Sequence, residues 1–121
     1  MSIIVPKTQQ ILAQAYANIN APTGMFLAIH NADPGQSGTP STEAPSTNGY
    51  ARKPVTWNPV PAGSGTATAQ QVNMTVPAGA WTYAALWDAA TGGNMIDRVA
   101  IGNSTFQTPS TLLVTPSFTI S

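Results

Sequence analysis

Trp81-Thr-Tyr-Ala-Ala-Leu-Trp-Asp-Ala-Ala-Thr-Gly-Gly-Asn-Met-Ile-Asp-Arg-Val-Ala-Ile101 is the stretch whose reading decides the fold. It reads as two strands joined by a tight reversal. On the first strand a period of two places Trp81, Tyr83, Ala85 and Trp87 on one face and Thr82, Ala84, Leu86 and Asp88 on the other. One side then carries a large aromatic load that must be buried or bound. Asp88, Thr91, Gly92, Gly93 and Asn94 supply the turn, because Gly-Gly-Asn tolerates the positive φ that a tight reversal between twisted strands requires. Met95 to Ile101 resumes as a strand rich in branched residues.

Working outward from this hairpin, the pattern predicts more strands and one helix. From Pro6 or Thr8 to Asn20 the spacing is helical, with Ile11, Leu12, Ala15, Tyr16 and Ile19 on the face expected to pack. Pro6 suits the first turn, Thr8 is a capping candidate, and Asn20-Ala-Pro22 ends the helix because the residue before proline avoids the α region. Gly24 to Ala32 is apolar on both faces, as a central strand would be. Residues 33–49, opened by Asp33, Pro34 and Gly35, are interrupted by three prolines and three glycines and read as a long loop. Tyr50 to Trp57 is a strand whose Pro54 favours an edge or a bulge, with Arg52 and Lys53 on opposite faces. Thr66 to Val76 alternates with Val72, Met74 and Val76 inward. Residues 102–111 read as a turn-rich crossing around Phe106. In the last strand Leu112, Val114, Pro116, Phe118 and Ile120 share one face. The expectation is a mostly β chain, an antiparallel β-sandwich of about seven strands with jelly-roll or Greek-key connections. One short N-terminal helix precedes it, in a single domain of residues 1–121 whose arm and helix occupy 1–20.

Charged residues make up only 7% of the 121 residues, where soluble domains usually carry about 25%. Sixteen Thr and nine Ser, with Asn and Gln, must cover the surface instead, and the formal net charge of zero leaves little repulsion between copies. This favours a life inside an assembly. Four cations without a cluster beyond Arg52 and Lys53 do not provide the phosphate contacts that drive nucleic-acid binding. No apolar run is long enough to span a bilayer, and the start lacks the features of a signal peptide. The absence of cysteine fits folding in a reducing cytoplasm.

Chemistry is sparsely provided for. One His, three Asp and one Glu give few means of building an acid-base or nucleophilic site, and His30 reads as a packed structural histidine. Asp88 is expected to fix the hairpin turn or to pair with Arg98 rather than to face Asp97 as a carboxylate dyad. A calcium loop over 88–97 fails because Ala90 and Gly92 offer no side-chain oxygen. No cofactor motif and no metal-ligand set is present. The aromatic set Trp57, Trp81, Tyr83 and Trp87 admits a glycan-stacking module as a different class of function, with core packing as the simpler account. As contacts with a neighbouring subunit the sequence offers the Met1–Val5 arm, the loop containing Asp33, Pro34, Gly35, Glu43 and Gly49, and the strand bearing Arg52 and Lys53.

Three motifs carry a resemblance: Phe26-Leu-Ala-Ile-His-Asn-Ala-Asp-Pro-Gly35, Gly49-Tyr-Ala-Arg52 and Ala84-Ala-Leu-Trp-Asp-Ala-Ala-Thr-Gly-Gly-Asn-Met-Ile96. In these the chain resembles small virion structural proteins of tailed bacteriophages, described as capsid decoration, minor tail or tail-fibre-like proteins. The resemblance implies a non-enzymatic virion component made in the host cytoplasm. Its first implication is a capsid decoration or minor capsid protein bound to the major capsid protein and to copies of itself. A tail or tail-fibre-associated protein is the alternative.

Overall fold

The computed structural model describes residues 5–120. The arm expected at residues 1–5 lies outside the described residues except for Val5. One helix, α1 (Pro6–Ala17), precedes eight strands: β1 (Met25–His30), β2 (Lys53–Val55), β3 (Thr66–Thr68), β4 (Val72–Val76), β5 (Gly79–Trp87), β6 (Met95–Phe106), β7 (Ser110–Val114) and β8 (Ser117–Thr119). All pairings are antiparallel, in a four-stranded sheet ordered β2-β1-β5-β6 and two ladders, β3 with β8 and β4 with β7. The two ladders share their strand direction. Residues 66–76 run against 110–119, and the Ala69 N–H donates to the Pro116 carbonyl at 2.9 Å where the ladders meet. Together they form one ribbon bent beside Pro116, which packs on the sheet in the mostly β, sandwich-like arrangement that alternation predicts.

The main core lies between sheet and ribbon. Met25, Leu27 and Ile29 of β1, Val72, Met74 and Val76 of β4, and Trp81, Ala84 and Leu86 of β5 meet there. β1 is apolar on both faces because both are covered: Ala28 joins Ala85 and Trp87 in a second cluster on the outer face of the sheet. Pro54 sits on β2, an edge strand, where its missing N–H costs no ladder bond.

Several expectations need correction. The aromatic residues of β5 do not share a face. A register shift between Trp81 and Tyr83 breaks the period of two, so Trp81 enters the main core with Ala84 and Leu86 while Trp87 lies on the outer face. The expected strand over 66–76 is two strands, and the expected last strand is likewise divided into β7 and β8. The supposed crossing at 102–111 is mostly strand: β6 runs on to Phe106, bulging at Gly102, whose φ of +78° suits glycine. Of the helix residues expected to pack, only Tyr16 does, against the main core; the rest of the inward face is a different one. Ala13 is fully buried, Gln10 and Gln14 accept hydrogen bonds from the backbone N–H groups of Gly63 and Val60 at 3.0 Å each, and Ile11, Leu12 and Ile19 stay exposed. Backbone donors of the 60–63 loop bind the glutamine face, which apolar periodicity does not register. The helix also begins directly at Pro6 behind Val5, so Thr8 is not its cap.

Candidate functional site

The long loop does not wander in solvent. It folds back along β1, where the Asn31 N–H donates to the Thr42 carbonyl at 2.8 Å and the Ala44 N–H to the Ile29 carbonyl at 2.9 Å, and His30 bridges Glu43 in antiparallel fashion. A 3₁₀ turn at Pro40–Thr42 lets it make this return. The outer face of the sheet, with Ala28, Ala85 and Trp87, is thereby roofed over. Gly38 is pressed against Trp87 so closely that a Cβ there would stand 2.9 Å from its ring.

Beneath this roof lies a polar network in which each group has a partner. Arg52 forms a bidentate pair with Glu43, its Nε donating to Oε2 and its Nη2 to Oε1, both at 2.9 Å. Its Nη1 donates to the Ala89 and Gly92 carbonyls of the hairpin turn at 2.9 and 2.8 Å, and the guanidinium lies 4.2 Å from the centre of the Trp87 ring. The Tyr50 hydroxyl donates to Glu43 at 2.7 Å and accepts from the Ile29 N–H at 3.1 Å. On the other side of Trp87 the indole N–H donates to Nε2 of His30 at 3.4 Å, so the His30 proton resides on Nδ1. That proton is given to the Thr42 hydroxyl at 2.7 Å, which passes its own to the Thr39 carbonyl at 2.9 Å.

Electrostatics follows from burial. His30 is fully buried, and desolvation holds its pKa below the ordinary value; Glu43 pulls upward and Arg52 downward. For Glu43 burial pulls upward, but the hydrogen bonds from Arg52 and Tyr50 outweigh it and hold the carboxyl below its ordinary value. Burial, with the carboxylate alongside, pushes the Tyr50 phenol well up.

The sequence-predicted contact residues are therefore divided. Glu43 and Arg52 are committed to one another in the interior, Pro34 is fully buried, and Gly35 and Gly49 take positive φ in turns. Asp33 accepts from the Gly35 N–H at 2.9 Å and pairs with Arg98 at 3.1 Å; Lys53 is exposed on β2. Asp88 fixes the turn as expected, accepting from the Asn94 N–H at 2.7 Å. Arg98 goes to Asp33, and Asp97 accepts from Tyr16 at 2.6 Å; the two hairpin carboxylates serve separate partners. Sequence reasoning missed that Arg52 clamps the long loop to the hairpin turn. The available signal was that Glu43 is the loop's one carboxylate besides Asp33, and that Tyr50 and Arg52 stand two apart on an extended segment, hence on one side.

Besides a cleft of about 260 Å³ between Lys53, Thr56 and Gln71, two clefts adjoin the groups described above. One, about 340 Å³, borders the network between Pro45, Tyr50, Arg52 and Thr91. The other, about 270 Å³, opens between β6 and the bend of the ribbon. At its wall Tyr16 stacks on Phe118 with ring centres 3.8 Å apart, and the buried indole N–H of Trp57 has no acceptor among the described residues. Of the tryptophans considered for glycan stacking, Trp81 and Trp87 are interior and only Trp57 reaches a cleft. Among the described residues no cluster of His, Cys, Asp or Glu is suited to holding a metal ion.

The model of the family described as Podophage GP4 fiber I protein gp80 matches residues 8–117. The chain belongs to this family. No curated protein matches it. The family match runs from α1 into β8, so it takes in the clamp, the hairpin and the bent ribbon alike. Membership makes the chain a fibre-type structural protein of a bacteriophage virion, within the class that the three sequence motifs resemble.

Proposed function

We propose that this chain is a structural component of the tail-fibre apparatus of a podophage, doing mechanical rather than catalytic work. The observation that carries the reading is the match to the gp80 fibre I family over residues 8–117; it favours the fibre over the capsid surface that the resemblance first implied. The site geometry agrees with mechanical work. Each titratable group of the clamp is spent on an internal partner, as a rigid support requires and a catalyst, which needs a group free to exchange protons, does not. Its partners are other fibre or tail proteins and further copies of itself, with no cofactor and no nucleic acid.

Antibody labelling of purified virions, seen by electron microscopy, tests this reading. Gold particles at the fibres or their attachment to the tail are expected. Gold distributed over the heads would return the chain to capsid decoration.

A further inference from the structure

From Val99 to Ile120 the chain contains no Asp, Glu, Lys, Arg or His, yet it forms most of β6 and all of β7 and β8. From Met95 to Ile120 no residue is buried. Ile101, Phe106, Leu112 and Val114 pack partly buried against the main core, but the outward residues of these strands are almost without charge, a mismatch with a solvent-facing surface. Val99 shows the mismatch. It pairs across the ladder with Ala84, on the side of the sheet that faces the main core, yet Ala84 is 2% exposed and Val99 is 59% exposed. β6 is also an edge strand of the sheet, and edges are normally guarded by charge. Here the last charged residue is Arg98.

The helix adds to this surface. Tyr16 stacks on Phe118 of β8, so α1 adjoins the ribbon, and Val5, Ile11, Leu12 and Ile19 are exposed large hydrophobic residues. We propose that the uncharged flank formed by β6, β7 and β8, with the outer stripe of α1 beside it, is the surface through which copies of this chain pack against one another.

A second copy fits this flank better than a charged partner does. The two charged groups at its border are held within the chain, Asp97 accepting a hydrogen bond from Tyr16 and Arg98 pairing with Asp33, so neither offers a free ionic contact to a charged partner. The exposed row Thr111, Leu113, Thr115, Ser117 and Thr119 is mostly hydroxyl, and hydroxyls both donate and accept; the row complements itself. The proposal deepens the fibre reading, which supplies the repeated copies. Association of the purified chain is measured without virions, so its failure is distinct from a failure of gold to label fibres.

The experiment is sedimentation equilibrium of the purified full chain at about 100 µM, far above the constant of a micromolar interface. The wild type is expected to sediment as a multiple of 12.5 kDa. Val99→Lys and Leu113→Lys, each at a position already more than half exposed, are expected to weaken association at least about tenfold while leaving the circular dichroism unchanged. Ile11→Lys should weaken it as well, and Ser46→Lys, at an exposed position in the loop before β2, should not. A wild-type monomer overturns the proposal. So does an oligomer that survives both Val99→Lys and Leu113→Lys, even if Ile11→Lys dissociates it.

Discussion

Residues 31–52 and residues 95–120 are of similar length, and both are rich in Ser and Thr, but the fold uses them in opposite ways. The first segment makes little regular structure, yet it buries Pro34, Ala44 and Tyr50 and holds the interior ion pair. The second is mostly strand, and its side chains are at most partly buried. Regular hydrogen bonding and burial are thus separate properties here. A loop with three prolines is a tightly held part of the molecule because Arg52 draws it onto the hairpin. The strands of the second turn Ile101, Phe106, Leu112 and Val114 partly into the core and leave their outward side chains in water, because nothing covers that side. Substitutions in the first region should therefore destabilise the isolated chain, and outward ones in the second should leave it nearly unchanged.

The largest effect is expected from Arg52→Met. Its side chain is 5% exposed and that of Glu43 14%, so the substitution leaves a carboxylate in the interior without its counter-ion. It also frees the carbonyls of Ala89 and Gly92. Removing one partner of a buried pair costs about 3–5 kcal/mol, to be read as a lowered urea midpoint. Replacing both members, Arg52→Met with Glu43→Leu, should recover part of that loss. A double variant no better than the single one would mean that the clamp on the turn carbonyls matters more than the charge pair.

Next comes Gly38→Ala. The backbone there has a φ of +79°, and the added Cβ would meet the Trp87 ring at 2.9 Å and the Met95 Cβ at 3.0 Å. Strain and overpacking of this kind cost roughly 1–3 kcal/mol. Thermal unfolding should show it, with Trp87 fluorescence altered because the roof over that ring is displaced. Gly92→Ala has a positive φ but nothing within reach of its Cβ, so it should cost less and separate backbone strain from crowding.

Much of this contrast was legible in the sequence. The hairpin, the edge position of Pro54, the double-faced burial of β1 and the alternation from Leu112 to Ile120 follow from periodicity and turn chemistry. The face of Trp81 was not legible, since a register shift leaves no mark on a period-two pattern. The inward face of α1 was not either, because Gln10 and Gln14 pack for their hydrogen bonds to the 60–63 loop, whereas hydropathy ranks them as outward. Glu43 and Arg52 stand out in a chain so poor in charge, and their local sequence suggests surface contacts. In a chain with eight charged residues, a salt bridge that joins a loop to a turn lies beyond local patterns, which carry no information about what is distant in sequence and near in space.

Acid should act on one of the two regions only. Burial holds the His30 pKa below its ordinary value, so the unfolded chain takes up a proton first as the pH falls. The stability that neutral His30 contributes is complete above about pH 6.5 and is lost as the pH drops through the lower folded-state value. Glu43, also held low, adds a second loss beginning below its ordinary value of 4.5. Urea midpoints measured between neutral and mildly acidic pH should therefore fall, and His30→Gln should flatten the first part of the decline. From Val99 to Ile120 there is no titratable side chain, so hydrogen-exchange protection of β7 should decline with global stability alone. A pH response of β7 separate from the rest would show that the flank is coupled to groups outside it.

The smallest effect is the most discriminating. Leu113 is 55% exposed, and exposed substitutions away from special features usually change stability by less than about 0.5 kcal/mol. Leu113→Thr keeps a branched residue on the strand and removes only the apolar end of a side chain already in water. Unfolding of the dilute chain should therefore be unchanged within that margin. A loss of about 2 kcal/mol or more, the size of a core truncation, would place Leu113 in an interior and remove the contrast between the two regions. If dilute unfolding is unaffected while concentrated samples lose unfolding temperature relative to wild type, the energy of Leu113 resides between chains, since only association makes stability depend on protein concentration.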